Sequence, residues 1–326
     1  MNNHFAIAVD SGKHTTKSVF SINGNLHKYK FRTLVQEVQE LGVELTPTNQ
    51  IVELDGKTFL IGDMNSEAQS NYDISKQSIE HLLCIYLAIT KYLIKIDSKN
   101  NGIPNIRLAV NVPLNIYKNS VLKAEYEKFI QNQQKTISLR VNGRAFIFRI
   151  DKIILLPEGT GPVYQRINEF KSKRSLIIDV GGLNSNYCMF EGLVPMLDSM
   201  VIGNSGINIL RSKIAEKMAS HYGITVSDAD VEHILKEGYL YVNGVKQEES
   251  KVILQKLIET HVTEIFNFAK SRSITFNNIS VIFCGGGSLL LKDAILRQFP
   301  TAVIEQDSQY ANALSFFRIL EVKQLV

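Results

Sequence analysis

The segment SLIIDVGGLNSNYCMF, residues 175–190, contains a short apolar run, an aspartate and two adjacent glycines. The run at 176–178 is typical of a strand buried on both faces. Asp179 ends this run, and Gly181 and Gly182 permit a tight turn before apolar residues resume at 187–190. Glycine amides can approach phosphate oxygens, and a carboxylate can hold Mg²⁺ through its waters. The segment therefore predicts a phosphate-binding hairpin, although an acidic residue before a glycine turn is also common in ordinary turns.

A similar hairpin opens the chain. Residues 5–12, FAIAVDSG, form an apolar run that ends in an aspartate and a turn, and a second strand follows. When the two hairpins are aligned without gaps, Asp10 falls on Asp179 and Gly12 on Gly181. We interpret the pair as an internal duplication, in which two aspartates and two amide-lined turns face one ligand across a cleft. Chance similarity between two hairpins is the alternative.

A third candidate is Glu158, in the sequence PEGTGP at residues 157–162. It follows an apolar strand predicted at 153–156 and precedes a helix predicted at about 162–170. Open α/β sheets bind ligands at this end of their strands. The alternative is an acidic residue that only interacts favourably with a helix N-terminus.

Three consecutive glycines form a further candidate, Gly285, Gly286 and Gly287, followed by Ser288. They join a strand predicted at 279–284 to a helix predicted at 289–298. Glycines in this position bring the backbone within reach of an anionic or flat group at the helix N-terminus.

The chain has 326 residues, which is enough for two domains with separate cores. We predict one domain at 1–172 together with 308–326, and a second at 173–307. Each has an insertion, at about 29–78 and about 209–275. In the first domain we also predict a helix at 79–94 and a hairpin of residues 137–139 and 146–150, separate from the strand at 153–156.

The composition is that of an ordinary globular protein, with 44% hydrophobic and 21% charged residues. The formal net charge of +4 is spread along the chain, so no direct binding to DNA is expected. The three cysteines, Cys84, Cys188 and Cys284, lie far apart in apolar segments and are expected to be buried thiols. No signal peptide or membrane-spanning segment is recognisable, so we expect a cytoplasmic protein without a membrane partner.

No P-loop and no dinucleotide-binding glycine motif is present. Instead, the chain resembles the actin, Hsp70 and sugar-kinase superfamily, and within it the actin-like plasmid-segregation proteins of the ParM type. Five segments carry the resemblance in the order of that family, and together they extend over most of the chain: VDSGKHTTK at 9–17, LPEGTG at 156–161, IDVGG at 178–182, FCGGGS at 283–288 and YANALSFFRIL at 310–320.

The resemblance implies an actin-like α/β fold, two ribonuclease H-like domains related by duplication, with a nucleotide cleft between the halves. It implies that Asp10 and Asp179 hold Mg²⁺ and that Glu158 positions or activates the attacking water. The bacterial segregation proteins carry Glu at this position, whereas eukaryotic actins carry Gln. The implied phosphate-binding residues are Ser11, Gly12, Lys13, Thr15, Lys17, Gly181, Gly182 and Asn184. Residues Gly285, Gly286, Gly287 and Ser288 would pack against the nucleoside.

Two regions limit what can be transferred from the family. Relatives commonly have threonines after the second glycine pair, where this chain has Leu183 and Asn184. Contacts to the ribose and base are expected from residues 203–216, where the candidates are Gly206, Arg211, Lys213 and Glu216. A charged helix face is also often simply solvated.

Three functions follow as hypotheses. The first is an ATPase or GTPase that uses Mg²⁺ to form filaments and segregates plasmid DNA through an adaptor protein bound to a centromere-like site. The second is a small-molecule kinase of the same superfamily, for which no Asp-rich sugar site is recognisable. The third is a nucleotide-binding or chaperone-like module that neither hydrolyses nucleotide nor polymerises, in which Glu158 is only structural. We favour the filament-forming enzyme.

Overall fold

The structure is a computed structural model that describes residues 4–39, 46–65, 77–96 and 102–326. The chain divides into two compact units. The first unit consists of Met1–Lys171 and Gln309–Val326, and the second of Ser172–Ser308. Parts of the predicted first insertion, at 40–45 and 66–76, lie outside the described residues.

The first unit is built on a sheet of nine strands in the order β3-β2-β1-β7-β9-β8-β5-β6-β4. Its central strand β1 pairs antiparallel with β2 and parallel with β7, and β7 pairs parallel with β9. Numbered in chain order, the strands are β1 (His4–Ser11), β2 (Thr15–Ile22), β3 (Asn25–Arg32), β4 (Val35–Val38), β5 (Gln50–Leu54), β6 (Lys57–Ile61), β7 (Asn105–Val112), β8 (Ile137–Val141) and β9 (Arg144–Pro157).

The predicted limit of the first insertion, at about residue 29, requires a correction. Strand β3 continues to Arg32 and pairs with β2 over its whole length, from Asn25 opposite Ile22 to Arg32 opposite Thr15. Phe31 of this strand is buried in the main core of the unit. Residues 29–32 therefore belong to the main sheet, and their polar alternation reflects an edge strand with one exposed face.

The predicted break between residues 150 and 153 is also wrong, because β9 is one strand of 14 residues. Its first part pairs with β8 and its second part with β7. The register shifts at the polar pair Asp151–Lys152, opposite the Ile106–Arg107 step of β7. A β-bulge inserts an extra residue without ending a strand, so the polar pair marks a bulge instead of a turn.

Helices pack on both faces of this sheet. The 17-residue helix α1 begins after Ser78, which caps it by accepting a hydrogen bond from the His81 amide. The closing helix α10 packs against β1, β2 and β7, and Phe316 and Phe317 are buried in that layer. The helices are α1 (Ile79–Lys95), α2 (Leu114–Tyr117), α3 (Ser120–Ile130), α4 (Ile167–Phe170) and α10 (Ala311–Val322).

The helix predicted at 162–170 is largely wrong, since only α4 is helical there. The backbone of the preceding turns bonds to side chains of α10 instead. The Gly161 amide donates to Asn312 Oδ1 at 2.8 Å, and the Gln165 amide donates to Ser315 Oγ at 3.1 Å. These tertiary hydrogen bonds replace the local ones that a helix would provide.

The second unit repeats the core of the first. Its sheet has the order β12-β11-β10-β16-β17. The central strand β10 pairs antiparallel with β11 and parallel with β16, as β1 pairs with β2 and β7 in the first unit. This order corresponds to β3-β2-β1-β7-β9, so the predicted duplicated α/β fold is confirmed. The strands are β10 (Arg174–Val180), β11 (Ser185–Glu191), β12 (Val194–Pro195), β13 (Val201–Gly203), β14 (Leu240–Val242), β15 (Val245–Gln247), β16 (Ser280–Cys284) and β17 (Val303–Ile304).

The helices of the second unit share one core with its sheet. Leu210 and Ile214 of α5 and Val262 of α7 lie in the same apolar cluster as Leu176 and Ile178 of β10. Residues of the predicted insertion at about 209–275 therefore pack into the same core as the sheet. The helices are α5 (Ile207–Tyr222), α6 (Asp228–Glu237), α7 (Glu248–Ser271), α8 (Gly286–Leu290) and α9 (Lys292–Gln298).

The three cysteines are buried free thiols, as predicted. Burial raises the pKa of the Cys84 thiol to about 12. Within the described ranges, none of the helices combines the length and the apolar character needed to cross a bilayer.

We expect Phe316→Ala to lower the free energy of unfolding by about 3–5 kcal/mol, because the ring is fully buried between α10 and the sheet. Urea denaturation measures this loss. Val322→Ala is the control in the same helix, since Val322 is 58% exposed and should change stability by no more than about 0.5 kcal/mol. Equal effects of the two substitutions would show that α10 is not part of the core of this unit.

Candidate functional site

The first hairpin joins β1 to β2 and holds Asp10 beside a lysine. Asp10 is 6% exposed and lies opposite Lys17 in the antiparallel ladder. The Lys17 ammonium is 3.5 Å from Asp10 Oδ2 and is itself largely buried. The hairpin thus places one carboxylate and one ammonium group side by side at the carboxyl end of the central strand.

The turn of this hairpin leaves room only for backbone at Gly12. A Cβ atom there would lie 2.8 Å from the Thr15 carbonyl oxygen and 3.4 Å from Lys17 Nζ. Lys13 follows and lines a pocket together with Gly12, Ser78 and His81. The Thr15 hydroxyl lies 2.8 Å from His14 Nδ1.

Glu158 is connected to this hairpin through Asn111. The Asn111 side chain accepts a hydrogen bond from the Ser11 amide at 2.8 Å. Its Nδ2 lies 3.3 Å from both the Ser11 carbonyl oxygen and Glu158 Oε1. The Glu158 amide donates to the Val112 carbonyl oxygen at 3.3 Å. The carboxyl ends of the three parallel strands β1, β7 and β9 thus bring Asp10, Asn111 and Glu158 to one edge of the sheet.

A buried row of polar side chains continues from Ser11 into the core. Ser11 Oγ lies 3.1 Å from His81 Nδ1, and His81 Nε2 lies 2.6 Å from the Tyr126 hydroxyl. The Tyr126 hydroxyl donates to the Asn111 carbonyl oxygen at 3.4 Å. Burial and the nearby Glu158 carboxylate raise the pKa of Tyr126 well above its usual value, so its hydroxyl stays protonated and remains a donor.

The second hairpin joins β10 to β11 and holds Asp179, which is 8% exposed. Asp179 lies opposite Asn186, at the position that Lys17 has in the first hairpin. Asn186 is buried, and its Oδ1 has no hydrogen-bond partner among the described residues. The two hairpins therefore share the aspartate but differ in the cross-strand residue, an ammonium in one and an amide in the other.

The turn of the second hairpin packs against the start of helix α5. The Ile207 amide donates to the Gly181 carbonyl oxygen at 3.0 Å, and the Asn208 amide donates to the Gly182 carbonyl oxygen at 2.8 Å. A Cβ atom on Gly206 would lie 2.2 Å from the Leu183 carbonyl carbon. The Gly206 position thus requires glycine, and the first amides of α5 anchor the hairpin.

Asn184 closes the same turn through its backbone. Its carbonyl oxygen accepts a hydrogen bond from the Gly181 amide at 2.9 Å, and a Cβ atom on Gly181 would lie 3.0 Å from this oxygen. Leu183 and Asn184 are both partly exposed, so the departure from the family pattern lies at the tip of the hairpin.

Of the glycine run, Gly285 forms the turn, whereas Gly286, Gly287 and Ser288 already belong to α8. This corrects the predicted helix start at residue 289. Gly285 has φ +83°, and a Cβ atom there would lie 2.3 Å from Asp179 Oδ1. The hydroxyls of Ser288 and Ser308 both donate to the Gly285 carbonyl oxygen, at 2.9 and 3.0 Å. The turn is therefore fixed directly against the aspartate of the second hairpin.

The charged candidates on α5 form ion pairs within the second unit. Arg211 pairs with Glu232 of α6. Lys213 Nζ lies 2.7 and 2.8 Å from the two carboxylate oxygens of Glu264 on α7. Glu216 is exposed. To bind a ligand, Arg211 and Lys213 would have to do so while engaged in these ion pairs, and Glu216 would have to do so from an exposed position.

Next to this surface lies a fully buried histidine, His261. Its Nε2 donates to the Ser205 carbonyl oxygen at 3.1 Å, just before Gly206. Burial lowers the pKa of His261, so the ring is neutral at physiological pH. It supports the start of α5 as a neutral donor.

Each unit thus provides a site that fits a phosphate with its Mg²⁺. Asp10 and Asp179 are nearly buried carboxylates, and Mg²⁺ is bound by one or two carboxylates together with phosphate oxygens and waters. At Gly12 and Gly181, a Cβ atom would lie 2.8 and 3.0 Å from carbonyl oxygens of the same turn, so both turns favour glycine beside the carboxylate. Within the ranges that the structure describes, no group of three or more His, Cys, Asp or Glu side chains converges on one point.

The structure brings together Asp10, Lys17 and Glu158 in the first unit, and Asp179, Gly181 and Gly285 in the second. The polar residues that sequence reasoning missed are Asn111, His81 and Tyr126. Asn111 carries a signal in the sequence, because it is a polar residue near the end of the largely apolar segment IRLAVNV at 106–112. His81 and Tyr126 lie on amphipathic helices and carry no such signal.

Comparison with known proteins shows which fold the chain has. Residues 8–161 match the family model described as the N-terminal domain of actin like proteins. A comparison with curated proteins finds no match. Ta0583, an archaeal actin homolog, has a TM-score of 0.77 and 20% identity, over 98% of this chain and 99% of that chain.

Two other solved structures extend the comparison to filaments. The Alp12 filament structure gives a TM-score of 0.71 at 22% identity, over 99% of this chain and 100% of that chain. A 15-stranded ParM filament from Clostridium botulinum gives 0.75 at 18% identity, over 98% and 100%. At these identities the likeness establishes the fold. Together with the match at 8–161, it confirms that the resemblance seen in the sequence extends to the fold: the chain has the actin-like fold that is also found in ParM-type proteins.

Proposed function

We propose that the protein binds ATP or GTP with Mg²⁺ and hydrolyses it. The observation that carries the proposal is the repeated hairpin, in which each unit ends its central strand with a nearly buried aspartate and a glycine turn. A duplicated pair of amide-lined turns beside carboxylates is suited to bind a polyphosphate and its metal. Support also comes from Ta0583, of which a complex with ADP has been solved.

In this proposal the two hairpins divide the binding of the phosphates. Lys17 and the Lys13 amide bind phosphate oxygens from the first unit, and the Gly182 amide binds them from the second. The amides of Gly12 and Gly181 already donate to the Asp10 and Asn184 carbonyl oxygens, at 3.2 and 2.9 Å, so these two glycines shape the turns. Asp10 and Asp179 hold the hydrated Mg²⁺. When bound, the ion neutralises the charge that develops on the phosphoryl oxygens. Candidates for the nucleoside contacts are Arg211, Lys213, Glu216 and residues 285–288.

Glu158 is proposed to orient and activate the attacking water. It lies at the carboxyl end of β9, and Asn111 holds one of its carboxylate oxygens. A carboxylate can accept a proton from water and can orient the water so that a lone pair of the water oxygen faces the phosphorus atom. This assignment makes the first unit the source of the hydrolytic group.

We further propose that nucleotide binding drives assembly into filaments and that these segregate plasmid DNA in the cytoplasm. Relatives of this fold have been solved as filaments, including Alp12 and a ParM. The DNA would be attached through an adaptor protein on a centromere-like site, because the net charge of +4 is spread along the chain. Hydrolysis would weaken the contacts between subunits.

We expect assembly to depend on the triphosphate. Sedimentation and light scattering of the full chain with Mg²⁺ and ATP, GTP or the corresponding diphosphate measure it. The proposal predicts a sedimenting polymer with at least one triphosphate and less polymer with the diphosphate. A protein that stays monomeric with every nucleotide at high micromolar concentration would contradict the filament function. The proposed nucleotide binding and hydrolysis would then be tested separately, by measuring the release of phosphate.

We expect Glu158→Ala to slow hydrolysis by about 10²–10⁴-fold while nucleotide affinity changes little, because the residue acts on the water and not on the phosphates. Phosphate release in single turnovers and titration with a fluorescent nucleotide measure the two quantities. Glu169→Ala is the matched control, since this glutamate is partly exposed and pairs with Arg166 at 3.1 Å. Unchanged turnover in Glu158→Ala would remove this residue from the reaction.

A further inference from the structure

The side chain of Asn111 makes three hydrogen-bonding contacts, and the residue is only 1% exposed. Its Oδ1 accepts from the Ser11 amide at 2.8 Å, and its Nδ2 lies 3.3 Å from the Ser11 carbonyl oxygen and from Glu158 Oε1. One planar amide therefore binds both polar groups of the Ser11 backbone and one carboxylate oxygen of Glu158.

The surroundings of Asn111 hold it in place. Its backbone lies on β7, between β1 and β9, and is paired with Leu156 in the ladder. Its carbonyl oxygen accepts from the Tyr126 hydroxyl, which is itself bound to His81. The amide therefore sits in a fixed position with little freedom to turn away from Glu158.

Only an amide satisfies all of these contacts at this position. The Ser11 amide needs an acceptor, whereas the Ser11 carbonyl oxygen and the Glu158 carboxylate need donors. An aspartate has the same shape but, when ionised, only accepts, so it would face Glu158 as a second negative charge. An apolar residue would leave a buried backbone amide without a partner.

We propose that Asn111 is a positioning residue that fixes the Glu158 carboxylate relative to the backbone of the first hairpin. The inference rests on the proposed function, since it gives Glu158 its place in hydrolysis. A displacement of the Ser11 backbone by a bound phosphate is passed to Glu158 through one rigid amide. Asn111 thus links occupation of the hairpin to the placement of the group that acts on water.

The test is a cycle of Asn111→Asp, Glu158→Gln and the double variant. Asn111→Asp keeps the acceptor for the Ser11 amide but loses the donor to Glu158. We expect kcat to fall at least about tenfold, with nucleotide affinity changed by no more than about threefold. In the Glu158→Gln background, Asn111→Asp should lower kcat no further, because residues that act as a unit are not additive.

A second readout does not need activity. Asn111→Asp should lower the midpoint of thermal unfolding, because two carboxylates then face each other. The double variant should regain most of this loss, since the new amide at position 158 can donate to the new carboxylate at 111. If the single variant fails to fold, the double variant is still expected to fold, and a double variant that also fails would contradict the inference.

Asn142→Asp is the matched control. Asn142 also uses Oδ1 to accept from a backbone amide, that of Ile51 at 2.8 Å, and Nδ2 to donate to a side chain, Gln50 at 3.0 Å. It lies in the turn before β9, at the opposite end of that strand from Glu158. The same change of charge there should leave kcat unchanged, and Glu158→Gln should not restore its stability.

The outcomes separate the two claims. A wild-type protein that does not hydrolyse nucleotide would contradict the proposed function, and the stability cycle would then decide alone whether Asn111 holds residue 158. If the wild-type protein is active and Asn111→Asp lowers kcat by the same factor with and without Glu158→Gln, the positioning role is contradicted. The proposed function would remain intact.

Discussion

The second unit depends on the absence of side chains where its backbone segments meet. A Cβ atom on Gly206 would lie 2.2 Å from the Leu183 carbonyl carbon, and one on Gly285 would lie 2.3 Å from Asp179 Oδ1. These approaches hold the Asp179 hairpin between the start of α5 and the turn after β16. Because backbone is packed against backbone there, the carboxylate stays nearly buried while glycine amides remain close to it. The same principle operates at Gly12 in the first unit, where the nearest atom is the Thr15 carbonyl oxygen at 2.8 Å.

The two units repeat one strand order but differ in the chemistry that they add to it. In the first, Lys17 lies opposite the aspartate, and Glu158 follows the last residue of β9. In the second, Asn186 takes the position of Lys17, and the glycine run follows β16. On the proposed function, the first unit supplies the ammonium group and the hydrolytic carboxylate, whereas the second supplies a glycine-rich surface for the nucleoside. If that proposal holds, each copy of the duplicated fold contributes a different part of one reaction.

The hairpins and their duplication could be predicted because their signals are local: an apolar run, an aspartate and a glycine within about ten residues. The contacts of Asn111 could not, since they join strands that are 100 and 47 residues away in the chain and depend on register. The predicted helix at 162–170 is wrong for a related reason, because Asn312 and Ser315 at the far end of the chain bind its backbone. The break predicted before residue 153 is a bulge. A polar pair between two apolar runs gives the same sequence pattern in a bulge as in a turn, so the sequence could not separate the two.

The central claim is that both hairpins bind the phosphates of the nucleotide. Amide hydrogen exchange of the full chain, with and without Mg²⁺ and a triphosphate, tests it most directly because it reports on backbone amides individually. The account predicts slower exchange at the amides of Lys13 and Gly182 over the same range of nucleotide concentration, since the amides of Ser11 and Gly181 already donate within the protein. Slower exchange in one hairpin alone, or in neither while nucleotide is bound, would contradict it.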